Sequence, residues 1–199
     1  MFRKALLTTA AAIAMFALSS VAHADPITLT SGVPTTLNFQ SPNFAGSTST
    51  ATFTLNGNTL TVVLTNTSTN GTFLSGLGFD TNPNLTLTNA TTATDGWTAG
   101  SGPGGGLGSF ELVAFGNGNP NRLAQGESAT ATFVFSGPAL QTLTLDQVIV
   151  HLTSLPNGNS EKVPGTPTHA PEPMTMLLFG SGLAGIAARA RRRRRNANA

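Results

Sequence analysis

Ala51-Thr52-Phe53-Thr54-Leu55-Asn56-Gly57-Asn58-Thr59-Leu60-Thr61-Val62-Val63-Leu64 is the stretch whose reading decides the fold. Its first five residues alternate apolar and hydroxylated side chains, the period of a strand with one buried face. Asn56-Gly57-Asn58 is a turn signal, and beyond it Leu60, Val62 and Leu64 share one face again. Two such runs around an Asn-Gly turn predict a β-hairpin.

Outward from the hairpin, further strands are expected at Ile27 to Thr30, Thr36 to Phe39, Leu74 to Phe79, Leu85 to Thr88, Phe110 to Phe115, Ala129 to Phe135 and Leu140 to Leu152. Glycine, proline and asparagine punctuate most of them. In the last, Leu143 and Leu145 have one parity and Val148, Val150 and Leu152 the other, so a bulge or break is expected near Asp146-Gln147. No segment between the two chain ends has a helical period. The prediction is an all-β domain of two packed antiparallel sheets, a jelly roll or another Greek-key sandwich. A signal helix at the amino end and a transmembrane helix at the carboxyl end would flank it.

The amino end begins with Arg3 and Lys4, continues with an apolar region from Ala5 to Leu18 and reaches Ala22-His23-Ala24. That is a signal peptide with a small-x-small cleavage site, Ala22 and Ala24 being the small residues. Its processing partners are the general secretion translocon and signal peptidase, and the mature chain would start at Asp25.

The carboxyl end has three consecutive parts. Pro171-Glu172-Pro173 should be extended, because proline fixes φ, lacks an N–H and biases the residue before it away from helix. Met174 to Ala188 carries no charge and as a helix would reach roughly 22 Å, against a hydrocarbon core of ~30 Å. Leu177, Leu178, Phe179, Leu183 and Ile186 would face lipid. Arg189 and Arg191 to Arg195 follow, and the positive-inside rule makes Arg191, Arg192 and Arg193 part of a cytoplasmic anchor. Alone, such an apolar run also suits a buried core helix, and an arginine block a nucleic-acid tail. Their unbroken order behind the proline-bounded peptide favours a short membrane anchor that needs snorkelling or local thinning.

From Ala170 to Arg195 the chain resembles the PEP-CTERM sorting signal of proteins secreted by biofilm-forming Gram-negative bacteria. The resemblance implies recognition of Pro171, Glu172 and Pro173 by exosortase, a multipass membrane peptidase. It implies transient inner-membrane anchoring, then a place in the cell envelope, at the cell surface or outside the cell. Other sorting routes lack their residues. Leu155-Pro156-Asn157-Gly158 misses the threonine of a sortase signal, there is no cysteine to acylate, and a GPI signal ends in its apolar tail.

The expected organisation is therefore a signal peptide over residues 1–24, a sandwich over 25–153 and a disordered linker over 154–169. The sorting signal follows over 170–195, with a tail over 196–199.

The net charge of +2 belongs to the two ends. Between them stand Asp25, Asp80, Asp95, Glu111, Glu127, Asp146 and Glu161 against only Arg122 and Lys162. That mild acidity speaks against nucleic acid as a partner. With no cysteine there is no disulfide, thiolate metal site or cysteine nucleophile. A core of phenylalanine, leucine, valine and small residues must carry stability, with Trp97 the one tryptophan and no tyrosine.

The order of residues 51–55, Leu64-Thr65-Asn66-Thr67-Ser68, residues 76–84 and Phe133-Val134-Phe135-Ser136-Gly137-Pro138 resembles the cistern family of PEP-CTERM proteins. That family's cysteine pair before a glycine-rich loop has no counterpart in Phe115 to Arg122. No activity is implied by the likeness.

Chemical motifs are sparse. Residues 101–108 are glycine-rich but lack the Gly-Lys-Ser/Thr ending of a phosphate loop, so a flexible surface connection is expected. Asp80-Thr81-Asn82-Pro83-Asn84 resembles the start of a calcium loop, yet Leu85 and Thr91 occupy its glycine and glutamate positions, which favours a plain turn. No metal site or cofactor is expected. His151 has the parity opposite to Val148, Val150 and Leu152 and should face solvent, and no Gly-x-Ser-x-Gly is present. Asn66, Asn70, Asn84 and Asn89 begin Asn-x-Ser/Thr sequons that arise readily in so threonine-rich a chain.

The function expected is that of a non-enzymatic surface or matrix protein associated with exopolysaccharide or biofilm. A carbohydrate-binding or adhesive module using Trp97 is the alternative, and a secreted hydrolase comes third.

Overall fold

A computed structural model of the chain describes residues 26–83 and 85–167. The signal peptide with Ala22 and Ala24, the sorting residues Pro171, Glu172 and Pro173, the apolar run and the arginines all lie outside the described residues, as do both expected flanking helices.

The described chain is all-β, as expected, with two antiparallel sheets packed as a sandwich. Its strands are β1 (Ile27–Thr30), β2 (Thr35–Gln40), β3 (Thr48–Asn56), β4 (Thr59–Asn66), β5 (Phe73–Asn82), β6 (Leu87–Thr92), β7 (Trp97–Ser101), β8 (Leu112–Gly116), β9 (Ser128–Phe135), β10 (Thr142–Thr153), β11 (Glu161–Pro164) and β12 (Thr166–Pro167). One sheet runs β1-β10-β5-β8-β7, with β11 also paired to β10; the other runs β12-β2-β3-β4-β9-β6.

The hairpin forms as read, with Ala51 opposite Leu64, Phe53 opposite Val62 and Leu55 opposite Leu60, all buried. Gly57, at φ 55, supplies the positive dihedral that the two-residue turn needs. Across the sandwich, Phe79 of β5 meets Phe53 of β3 edge-on at 5.7 Å and Phe133 of β9 edge-on at 5.2 Å. These perpendicular pairs, the favoured aromatic geometry, tie the sheets at their centre.

The expected bulge on β10 is present. Leu145 pairs with Thr81 and Val148 with Phe79, so Asp146 and Gln147 stand opposite the single residue Asp80. The extra residue returns Val148, Val150 and Leu152 to the core beside Leu143 and Leu145. A second irregularity was not read from the sequence. His151 pairs with Gly76 but Leu152 with Leu74, which leaves Ser75 as the inserted residue on β5.

The linker expected over 154–169 is corrected. Within it β11 pairs with β10 and β12 with β2, and Leu155 and Val163 are buried. Pro164 and Pro167 are tolerated because both strands are short edge strands. Between them Gly165 crosses from one sheet to the other, its N–H donating to the Val148 carbonyl at 2.8 Å. A Cβ there would lie 2.7 Å from the Phe39 ring. At the start of β11, the Glu161 carboxylate accepts from Ser41 Oγ and Asn43 Nδ2, so the segment is clamped to the β2–β3 loop as well.

Candidate functional site

On the outer face of the β10-β5-β8 sheet, β5 presents Gly76 and Gly78 where side chains would ordinarily stand. A Cβ on Gly78 would come 2.6 Å from the Phe110 ring, and one on Gly76 would come 3.2 Å from Leu107. The two glycines make a trough, and residues 102–111 fold back into it. Leu107 and Phe110 are buried there with Val113 as a second, smaller core, against which Phe115 and Ile149 pack. The glycine-rich segment is thus a docked cover and not the free connection expected. Gly105 and Gly106 lie flat on side chains, since a Cβ would be 2.5 Å from Phe115 Cβ and 2.7 Å from His151 Cε1, respectively.

This cover corrects the reading of His151. Its parity is as predicted, away from the main core, but the loop half-buries it. Nδ1 lies 2.7 Å from the Gly105 carbonyl and 2.9 Å from Ser75 Oγ. A carbonyl only accepts, so Nδ1 carries the proton and the neutral ring leaves Nε2 as an acceptor. Burial lowers the His151 pKa below its usual 6.5; the Gly105 hydrogen bond opposes that shift, and the charge of nearby Lys162 adds to it. Ser75 Oγ donates to the His151 carbonyl at 3.1 Å. With its proton held by Gly105, Nδ1 cannot take one from Ser75, so the pair is not set as nucleophile and base.

One step along the same face stands Arg122. Its guanidinium lies 4.7 Å from the Phe73 ring centroid. Nη1 donates to Thr153 Oγ1 at 3.2 Å and Ser154 Oγ at 3.1 Å, and Nε donates to the Asn119 carbonyl at 3.3 Å. Each of these partners is neutral. Ser75, Gly105, Gly106, Asn119, Arg122 and His151 border an open cleft of about 270 Å³. It offers one fixed cation, a neutral imidazole and close backbone, which suits hydrogen bonding to a polar or anionic group. From the sequence Arg122 stands out only as one of two cations; Phe73 at the start of β5 and Thr153 and Ser154 at the end of β10 are remote in sequence, and no local pattern connects them to it.

Trp97 is not a contact platform. It is 7% exposed, belongs to the main core and donates Nε1–H to the Asn121 carbonyl at 2.7 Å. The Asp80 segment is occupied structurally. Glu111 Oε2 accepts from Thr81 N at 2.7 Å and Thr81 Oγ1 at 2.8 Å, while Asp80 Oδ1 accepts from Glu111 N at 2.9 Å. These bonds pin the cover's end to β5. Among the described residues no three histidine, aspartate or glutamate side chains gather as for a metal. Of the sequons, Asn66 is fully buried with Nδ2 donating to the Thr72 and Leu123 carbonyls, whereas Asn89 is exposed on β6; Asn84 lies outside the described residues.

Residues 169–194 match the PEP-CTERM protein-sorting motif. That motif marks the chain as an exported, exosortase-sorted cell-surface protein. No curated protein and no solved structure matches the chain, and the likeness to the cistern family finds no support.

Proposed function

We propose that the chain is a non-enzymatic component of the cell surface or extracellular matrix, associated with exopolysaccharide. Its sandwich is held by a short carboxyl-terminal membrane span until exosortase cuts beside Pro171-Glu172-Pro173. The observation that carries this reading is the position of the sorting motif directly behind the fold: β12 ends at Pro167 and the match begins at residue 169. Cleavage at the triplet therefore severs no described strand and releases an intact domain. Pro171, Glu172 and Pro173 are the recognition peptide. The apolar run and Arg191, Arg192 and Arg193 hold it at the membrane, and Ala22 and Ala24 mark the amino-terminal cut.

Intact-mass analysis in a host carrying exosortase tests this. The extracellular product should start near Asp25 and lack the apolar run and arginines, and Glu172→Ala should leave a membrane-bound precursor. An extracellular product that keeps its arginine tail refutes the reading.

A second reading, glycan contact, is favoured by the Arg122–His151 cleft, because Arg122 is held rigidly yet faces only neutral partners. An acidic sugar would supply the missing opposite charge. Binding on an array of acidic glycans that is lost in Arg122→Ala would support it; binding unchanged in that variant would remove this site.

A further inference from the structure

The described residues place four turns of one end of the sandwich together, and those turns are free of formal charge. They comprise residues 31–34, 57–58, 83, 85–86 and 136–141, which contain no aspartate, glutamate, lysine or arginine. Hydrogen bonds join them into one surface. Ser31 N donates to the Gln141 carbonyl at 2.8 Å, Gly32 N to the Leu55 carbonyl at 2.8 Å and Ser136 N to the Thr86 carbonyl at 2.9 Å, and Asn58 Nδ2 donates to the Gly137 carbonyl. At its tip Val33 is 53% exposed, the most exposed large apolar side chain among the described residues, with Pro34, Pro138 and Ala139 also exposed. The charged loops gather at the opposite end. Asp95 lies between β6 and β7, Arg122 and Glu127 before β9, and Glu161 after the β10–β11 turn. Asp80 and Asp146 are set back along β5 and β10, and Glu111, just before β8, is tied by hydrogen bonds to Thr81 near the end of β5.

The chain leaves the domain toward the uncharged end. Thr166 pairs with Asn38 and Pro167 with Leu37, antiparallel to β2, so at Pro167 the described chain is headed toward the Pro34 and Val33 end of that strand. From Leu37 to Val33 is up to about 13 Å of strand at ~3.3 Å per residue. The seven peptide steps from Pro167 to Met174 span at most about 25 Å fully extended, and about 22 Å as polyproline helix. The turns thus project over half of the longest tether available. What remains, roughly 10 Å, is close to the headgroup layer, ~5–8 Å on each side of the hydrocarbon.

We propose that in the uncleaved precursor this end, with Val33 foremost, rests on the lipid headgroup surface on the exported side. The inference rests on the anchoring reading above. Lowering an uncharged surface into the interface strips water from no ion, whereas the opposite end would have to desolvate carboxylates. The tether makes the encounter intramolecular, so even a weak contact is populated.

The absence of native cysteine allows single-site labelling. Val33→Cys, Pro138→Cys and, at the far end, Ser160→Cys would each carry a fluorophore on the full chain, reconstituted in phosphatidylcholine vesicles containing headgroup-nitroxide phosphatidylcholine. Quenching should be at least threefold stronger at positions 33 and 138 than at 160. Equal quenching at both ends, or none at 33 and 138, overturns the proposal while flotation with the vesicles leaves the anchor reading standing. Quenching at 33 and 138 only after exosortase is co-reconstituted also overturns it, assigning the surface to the peptidase. A chain that does not float with vesicles defeats both.

Discussion

Gly78→Ala and Gly100→Ala are the same substitution on strands of the same sheet and should have opposite effects. Neither glycine has a positive φ, so alanine meets no backbone barrier at either. Gly100 has nothing within 4 Å of an added Cβ, and alanine there should stabilise by about 0.4–1 kcal/mol through the unfolded chain. At Gly78 the same Cβ would be 2.6 Å from Phe110 Cδ2, 2.8 Å from Cγ and 3.1 Å from Cε2. The ring has to shift out of a buried position. Overpacking of that kind costs about 1–3 kcal/mol, and the backbone gain offsets part, leaving a loss of about 1–2 kcal/mol. Lifting the whole cover is the costlier response, because it re-exposes Leu107 and Phe110 at about 1.5–3 kcal/mol each. A local shift of the ring therefore wins. Urea unfolding of residues 25–170 would read both variants as midpoint shifts at constant m. In a Phe110→Ala background the Gly78→Ala penalty should vanish, a coupling of about 1–2 kcal/mol. Should Gly78→Ala behave like Gly100→Ala, or keep its penalty without the Phe110 ring, the docked cover would be refuted.

The depressed pKa of His151 has a direct consequence for acid stability. Between its folded value and the ordinary 6.5, the unfolded chain holds a proton that the native chain does not, so stability falls as pH drops through that window. It levels off once the native imidazole is charged as well. His151→Gln should flatten this part of the urea midpoint profile; a wild-type midpoint that rises on acidification from pH 6.5 contradicts the burial. Val163, 1% exposed on β11, should tolerate no lone charge: Val163→Asp should cost about 3 kcal/mol or more. Were residues 161–167 a linker, the same change would be silent in a thermal melt.

Much of the sandwich was legible because its strands bury one face and solvate the other. The hairpin around Gly57, β1 and the parity switch at Asp146-Gln147 were each visible as a period of two or a break in it. Segments that break that period were not. Residues of β7, Trp97-Thr98-Ala99-Gly100-Ser101, carry too few apolar side chains to alternate, and β11 and β12 are short and hold prolines. The cover over His151 was hidden for another reason. Glycines at 76, 78, 105 and 106 are consistent with flexibility when read along the chain, whereas in space they are shaped by what lies against them. Trp97 was misplaced because a lone aromatic in a polar sequence gives no sign of which way it faces. The sorting motif was legible because it is a linear pattern that needs no fold to be read.

The pairing of β1 with β10 and of β2 with β12 joins the first two described strands to two of the last three. A chain threaded through a translocon amino end first delivers β1 and β2 early and their partners only at the close. Until then those strands have open edges, and contacts so far apart in sequence form slowly. Under the export route proposed above, neither of these two pairings can be completed until the carboxyl-terminal strands have emerged. Whatever holds the final residues at the channel exit also decides when the sandwich may shut.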